Sequence, residues 1–337
     1  MIHPEVVIGL DFGGTKTAVA VCDAAGRRLA HVVTDNWGEH GAQVSFDHGV
    51  HTARALLGKA APGASVAAVG VATFGIPLDD RVELAPAIAG WDKLALGAEV
   101  RAAFPGARVT VATDTKAAGA AEARWGSLAG CDPAVYVNLG TGLATAVITG
   151  GRVLAGRNGA AGEIGYSLRS PGDVGVPGDR RPILEDAVSG AGLQRRASGP
   201  DRTITAAEVF ARAAAGEPAM ARLVTDFVNE LSFHLVNIAI TVDPARIAIG
   251  GGLTRSWDIL QPHIAEALRA AVPYPPELTR AEFPDEAPLL GAVALAVDTA
   301  GSGGCPPHPG TRAPAGWLRD RRDQGGSTVT PAAGERL

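Results

Sequence analysis

Short apolar runs separated by glycine turns open the chain. Val6 to Leu10 reads as a strand, DFGGTK as a turn, Thr17 to Cys22 as a second strand, and DAAGR as another turn before LAHVV. Runs of this length between turn residues are the pattern of a β-meander. A helix is predicted from about His48 to Lys59, followed by a strand from Val66 to Ala72 that ends at the loop TFGIPLDD. Val109 to Thr113 is a strand feeding an alanine-rich helix from Asp114 to about Trp125. AVYVNLGTGLATAVITGGRVLAG then repeats strand, glycine turn, strand, turn, strand. Two meanders of one design, each entering an α/β region, predict two related lobes. Helices dominate after residue 183, and Leu223, Val224, Phe227, Val228, Leu231, Leu235 and Ile238 form one stripe at spacings of three and four. ARIAIGGGL reads as a buried strand, SWDILQPHIAEALRAAV and PLLGAVALAVDTA as further helices, and residues 301–337 as a disordered tail.

Composition narrows the class. A chain of 337 residues, 46% hydrophobic and 19% charged, holds two ordinary domains with ample core. Net charge is −5 with acids and bases mixed, so neither nucleic acid nor a membrane surface is an expected partner. No run of about 18 apolar residues predicts a spanning helix, and MIHPEVVIGL lacks the pattern of a signal peptide. Cys22, Cys131 and Cys305 are scattered and odd in number, fitting neither a disulfide framework nor a zinc site. A cytoplasmic location is expected.

The glycine turns bring in chemistry. A phosphate loop needs backbone N–H groups aimed at anionic oxygens, and glycine permits the close approach. GLDFGGTK offers this, flanked by Asp11 and Lys16, although alone it reads equally as a hairpin turn. The chain has no G-x-x-x-x-G-K-[ST], and GTGLAT lacks a third glycine and enters a strand, which excludes a P-loop and argues against a dinucleotide fold. A second turn, Gly140-Thr141-Gly142, follows VYVNL, and Gly250-Gly251-Gly252 follows IAI. Asp114 stands between the first two, where a strand meets a helix. Two turns for phosphates, one for adenosine and one base are what an actin-like nucleotide cleft requires.

With these residues in order, the chain resembles the ROK (repressor, ORF, kinase) family of the sugar kinase and actin superfamily from about Val7 to Ala296. The resemblance rests on GLDFGGTK, on GIPLDD followed by Pro86, Gly90 and Trp91, on TD at 113–114, and on GTG at 140–142. GRNGAAGEIG at 156–165 is its most specific match, and LEDAVSG, DPARIAIGGG and LLGAVALA complete it. The resemblance implies a two-lobed fold with ribonuclease H-like lobes and a cleft between them. Residues 1–114 with a C-terminal helix at 287–300 would form one lobe and 115–286 the other. It implies Mg²⁺ and ATP as cofactors, a small sugar as substrate, and a homodimer. Asp11 would help hold Mg–ATP, with Gly13, Gly14, Thr15 and Lys16 around the phosphates. Gly140, Thr141 and Gly142 would form the second phosphate turn, and Gly251 and Gly252 would line adenosine. Asp114 would be the general base toward the sugar 6-hydroxyl. Glu163 and Glu185 would accept from sugar hydroxyls, with Gly75 and Pro77 in a loop nearby.

Four departures from the family pattern fall mostly on the sugar side. PGDVGVPGDRRPI has no cysteine where many members carry a zinc motif, so no structural zinc is expected. Tyr166 replaces a histidine after GEIG. Thr113 replaces an asparagine before the aspartate, and Lys116 stands where asparagine is frequent. The second turn continues as GTGLATA, with Ala144 and Ala146 where glycine is usual. The expected substrate is a hexose, glucose or an aminosugar such as kanosamine; the departures lean toward the aminosugar, because the resemblance implies Glu163 near the 3-hydroxyl, where it would pair with a 3-ammonium. Two other readings stand beside the kinase: a repressor, which would need a helix-turn-helix segment ahead of the first strand, and a catalytically silent sugar sensor. Retention of Asp11, Asp114, Glu163 and Glu185 favours the enzyme. Trp37, Trp125 and Trp257 are expected to be packing residues.

Overall fold

The computed structural model describes residues 5–301; the predicted tail, from 302 on, and Cys305 lie outside the described residues. β1 (Glu5–Phe12), β2 (Lys16–Asp23) and β3 (Arg28–Asp35) form the first meander. α1 (Ala42–Ala60) leads to β4 (Ser65–Thr73), which pairs parallel to β1. A small hairpin of β5 (Ile76–Pro77) and β6 (Val82–Glu83) and a short α2 (Leu96–Ala103) precede β7 (Arg108–Thr113), parallel to β4. The sheet order is β3-β2-β1-β4-β7.

After α3 (Asp114–Trp125) the plan repeats. β8 (Ala134–Leu139), β9 (Leu143–Thr149) and β10 (Arg152–Val153) form the second meander. Next come α4 (Leu184–Ala187), α5 (Gly190–Ala197), α6 (Ala206–Ala214) and the long α7 (Pro218–Val242). β11 (Arg246–Gly250) pairs parallel to β8, and α8 (Trp257–Ala271) leads to β12 (Glu277–Arg280), parallel to β11. The order β10-β9-β8-β11-β12 matches the first sheet strand for strand. The two related lobes expected from the paired meanders are present.

The core explains the strand sequences. Ile8, Leu10 and Phe12 of β1 pack with Phe46 and Val50 of α1 and Leu96 and Val100 of α2, while Val7 on the other face joins the cluster around α9 (Ala287–Ala300). Covered on both faces, β1 is apolar almost throughout; β3, at the sheet edge, alternates half-buried and exposed positions. α3 and α9 form a layer shared by both sheets, because their cluster includes Ala20 and Ala68 of the first and Tyr136, Ala146 and Ala248 of the second. Small residues allow this. A Cβ on Gly70 of β4 would lie 1.9 Å from the Ala292 carbonyl oxygen, and one on Gly291 would lie 1.7 Å from that of Ala117.

Several details differ from expectation. α1 begins at Ala42 rather than near His48; its N-cap is Gly41, which has no capping side chain to mark it. α2, the β5–β6 hairpin and the half-exposed β12 were not anticipated, being short or polar. Trp37 is not a core residue. It sits at φ 54°, about half exposed, with its ring stacked on His48 at 4.2 Å. Its neighbour Asn36 spends its side chain on Gly13 and Gly38, which fixes the chain and turns Trp37 outward. α7 is long and apolar enough by composition to cross a membrane, yet Val224, Phe227, Val228, Leu231 and Leu235 are buried in the core of the second lobe.

Gly291→Ala is expected to lower unfolding stability by roughly 1–3 kcal/mol through overpacking, measured by urea denaturation. Gly58→Ala is the control: exposed in α1 with nothing within 4 Å of a Cβ, it is expected to be neutral or to stabilise by up to about 1 kcal/mol. Equal effects would contradict the close-packed seam.

Candidate active site

Strand register sets the first part of the site. β1, β4 and β7 run parallel, with Asp11 beside Ala72 and Thr73 beside Thr113, so Asp11 and Asp114 emerge at the same edge of the sheet. Thr113, not Asp114, caps α3: its hydroxyl oxygen accepts from Lys116 N at 3.3 Å. Asp114 Oδ1 accepts from the Thr115 backbone N–H at 2.6 Å and from its hydroxyl at 3.2 Å, while Oδ2 has no protein partner among the described residues. Burial raises the Asp114 carboxyl above the usual range; the Thr115 bonds and the Lys116 ammonium act against that shift. Asp11 is pushed up to about 7 by burial and by the neighbouring Asp114 charge.

The second lobe supplies two more carboxylates. Gly162 O accepts from Thr145 N at 2.7 Å and from Thr145 Oγ1 at 3.0 Å, which pins the 156–163 loop to β9 and sets Glu163 at its end. Glu185, in the first turn of α4, accepts from Leu143 N at 2.8 Å through Oε2, tying it to the start of β9. Glu163 Oε1 lies 3.2 Å from Lys116 Nζ, whose side chain is 5% exposed. The 3-ammonium expected to pair with Glu163 would therefore meet an ammonium of this chain already there. Gly75, Thr113, Asp114, Leu143, Glu163, Tyr166 and Glu185 line one cavity of about 600 Å³, together with residues of the 84–92 loop. Pro77 does not line it; its neighbour Ile76 does.

The glycine turns stand at strand ends. In the first, Gly13 N donates to Lys16 O at 2.9 Å, and Asn36 holds the turn by donating from Nδ2 to Gly13 O at 2.8 Å and from its backbone to Thr15 O. Thr15 and Lys16 are exposed, and Gly14 approaches Ala87 of the cavity loop. In the second, Gly140 O and Thr141 O accept from Gly190 N and Ala191 N of α5. A Cβ on Gly142 would lie 2.6 Å from Glu185 Oε2. The third turn abuts the second: Gly251, at φ 88°, leaves no room for a Cβ beside Leu139, and Gly252 N lies next to Gly140. Asn36 carried no expected role, and Lys116 stood only as a departure from the family pattern, with no partner named for it.

These residues fit a magnesium nucleotide. Two largely buried carboxylates at one sheet edge, Asp11 raised to about 7 first by burial and then by the Asp114 charge, are hard oxygen donors short of positive charge, which a divalent cation relieves. The exposed Gly13–Lys16 turn adds the backbone N–H groups of Gly14 and Thr15, which are not spent within the turn as that of Gly13 is, and the Lys16 ammonium for phosphate.

Where the family's zinc motif would fall, other contacts hold the chain. Arg181 donates to the Tyr166 and Ser167 carbonyls, Asp173 Oδ2 accepts from the N–H groups of Arg169 and Ser170, and Arg169 pairs with Glu230 of α7 through two nitrogens. Among the described residues no group of three or more His, Cys, Asp or Glu could hold a metal. Prolonged chelation is expected to leave the thermal midpoint within about 1 °C of its starting value, since structural zinc carries folding energy outright where it exists. A clear fall would contradict this.

Comparison with known proteins places the arrangement. The ROK family profile matches residues 7–299. The chain is 30% identical over 300 residues to the kanosamine kinase of Amycolatopsis mediterranei, covering 86% of this chain and 95% of that one. It matches only 54% of the length of the bifunctional enzyme NanE/NanK of Brucella melitensis, also at 30% identity. Among solved structures it resembles a ROK hexokinase from Thermus thermophilus, with a TM-score of 0.75, 30% identity, and 86% and 97% of the two chains covered. It also resembles a ROK glucokinase from Streptomyces griseus in complex with glucose and AMPPNP, with a TM-score of 0.66, 27% identity, and 86% and 99% covered. The chain belongs to the ROK family, and its two lobes have the actin-like fold of that family's sugar kinases.

Proposed function

We propose that the protein is a sugar kinase that transfers the γ-phosphoryl group of ATP to the 6-hydroxyl of a hexose. One observation carries the reading: the unpartnered Oδ2 of Asp114 belongs to a carboxylate lining a cavity that also holds Glu163 and Glu185, at the strand edge where Asp11 and the first glycine turn emerge. The names of the similar proteins point the same way, two of them to hexose or glucose phosphorylation and one to an aminosugar.

The chemistry asks little beyond positioning and charge neutralisation. When bound, Mg–ATP supplies the phosphoryl group and neutralises charge on its oxygens. Asp11 would hold the cation, and Gly13, Gly14, Thr15 and Lys16 together with Gly140, Thr141 and Gly142 would cradle the phosphates. Gly251 and Gly252, abutting the second turn, would line adenosine. Glu163 and Glu185 accept hydrogen bonds from sugar hydroxyls and orient the ring, with Tyr166 and Thr113 beside them. Asp114 accepts the proton of the 6-hydroxyl as its oxygen forms the new bond to phosphorus and the bond to the β-phosphate oxygen breaks. The proton leaves Asp114 for solvent after product release.

Coupled ADP release over a panel of hexoses tests the reading and separates the kinase from a silent sugar sensor, which would bind sugar without turnover. Asp114→Asn is expected to lower kcat at least about 100-fold while nucleotide binding stays intact. Near-wild-type turnover would remove Asp114 from the role. Because the base acts unprotonated, kcat/KM should fall as pH drops, with its acid limb above the ordinary carboxylate range, as the raised Asp114 requires. Gly142→Ala should displace Glu185 and raise the sugar KM by roughly tenfold or more, the scale of a lost hydrogen bond to a charged group. An unchanged KM would separate Glu185 from the sugar.

A further inference from the structure

A lysine buried at the start of a helix is an unfavourable placement. Lys116 is the third residue of α3, where the positive end of the helix dipole repels a cation, and burial removes the water that would solvate it. Carboxylates hold it there. Its Nζ lies 3.2 Å from Glu163 Oε1, the Asp114 carboxylate acts on the same charge, and Glu163 in turn faces the charges of Asp114 and Glu185. The pair ties the first turn of α3 to the loop pinned to β9. Lys116 Nζ has no second acceptor among the described residues, and Glu163 Oε2 has no donor. The carboxylate thus has one oxygen fixed to an ammonium behind it and one oxygen left for the cavity that it lines.

That arrangement has a definite selectivity. We propose that Lys116 is the positioning residue that sets sugar specificity: its ammonium holds Glu163 as a charged acceptor for a hydroxyl and excludes a substrate ammonium from the same place. The proposal rests on the sugar-kinase reading and narrows it to hexoses that are neutral at the ring position that Glu163 contacts, against the aminosugar alternative to which the similar kanosamine kinase points. A free Glu163 would attract a cationic substituent; a Glu163 already paired offers no net negative charge, and an incoming ammonium would sit beside Lys116 with like charge. A hydroxyl needs only the free oxygen. Removing one partner of a buried pair leaves the other charge uncompensated, so loss of Lys116 should turn the site toward cations rather than weaken all sugars alike.

Calorimetric titration tests this with glucose and its 2-, 3- and 4-amino-deoxy analogues, at a pH where the amines are protonated, on the wild-type protein and on Lys116→Gln. In the wild type, glucose is expected to bind at least about tenfold more tightly than the analogue whose ammonium meets Glu163. In Lys116→Gln that ratio should shift by about tenfold or more toward the amino sugar, while ratios for the other analogues hold. A purely structural lysine would weaken all four sugars together, and unchanged ratios would overturn the proposal. Should Lys116→Gln fail to fold, the wild-type titration still decides, because tighter binding of each ammonium analogue than of glucose overturns it without any variant. Absence of ADP release by a wild type that still discriminates defeats the kinase reading and leaves this one standing. Turnover with unchanged ratios does the reverse, and a chain that binds no hexose defeats both.

Discussion

The structure depends on how closely α3 lies against α9. The carbonyl of Ala117 approaches the α-carbon of Gly291 so tightly that no side chain fits between them, and Gly119 of the same helix packs against Ala146 of β9. α3 therefore contacts the second sheet along one flank and α9 along another, while α9 lies on β1 and β4 of the first sheet. Its N-terminus brings Asp114 to the cavity wall and Lys116 to Glu163, which lines the same cavity. A site built on such an element is held more firmly than one built on loops.

The second governing feature is charge. Asp11, Asp114, Glu163 and Glu185 come from β1, α3, the 156–163 loop and α4, and the Lys116 ammonium acts on two of them, Asp114 and Glu163. Burial raises Asp11, Asp114 and Glu163 toward neutrality, the direction in which crowded carboxylates relieve one another. A cation on the nucleotide side and hydroxyl donors on the sugar side would complete the balance. In the proposed function, catalytic charge and sugar recognition would be coupled through one helix turn, in which Thr113 takes the capping role and leaves Asp114 a free oxygen.

Much of this was legible in the sequence because the deciding signals are local. The meander strands, the 114–125 helix and the α7 stripe follow from apolar spacing, and the glycine turns stand out by composition. The carboxylates could be named because each sits in a recognisable segment. What could not be read depends on distance or on unmarked geometry. Lys116 and Glu163 are 47 residues apart, and nothing in either neighbourhood announces their pairing. Asn36 governs a turn more than twenty residues earlier. Trp37 looks like a core residue by type, yet a left-handed backbone turns it outward. The contacts of Arg181, Asp173 and Arg169 occupy the place of a metal motif without resembling one.

The most direct test of the account is a crystal structure with a non-hydrolysable ATP analogue and glucose bound together. The account predicts the terminal phosphate between the turns at 13–16 and 140–142, and the sugar 6-hydroxyl within hydrogen-bond reach of Asp114, about 2.6–3.2 Å. A nucleotide seated away from both turns, or a sugar whose 6-hydroxyl faces a group other than Asp114, would contradict it.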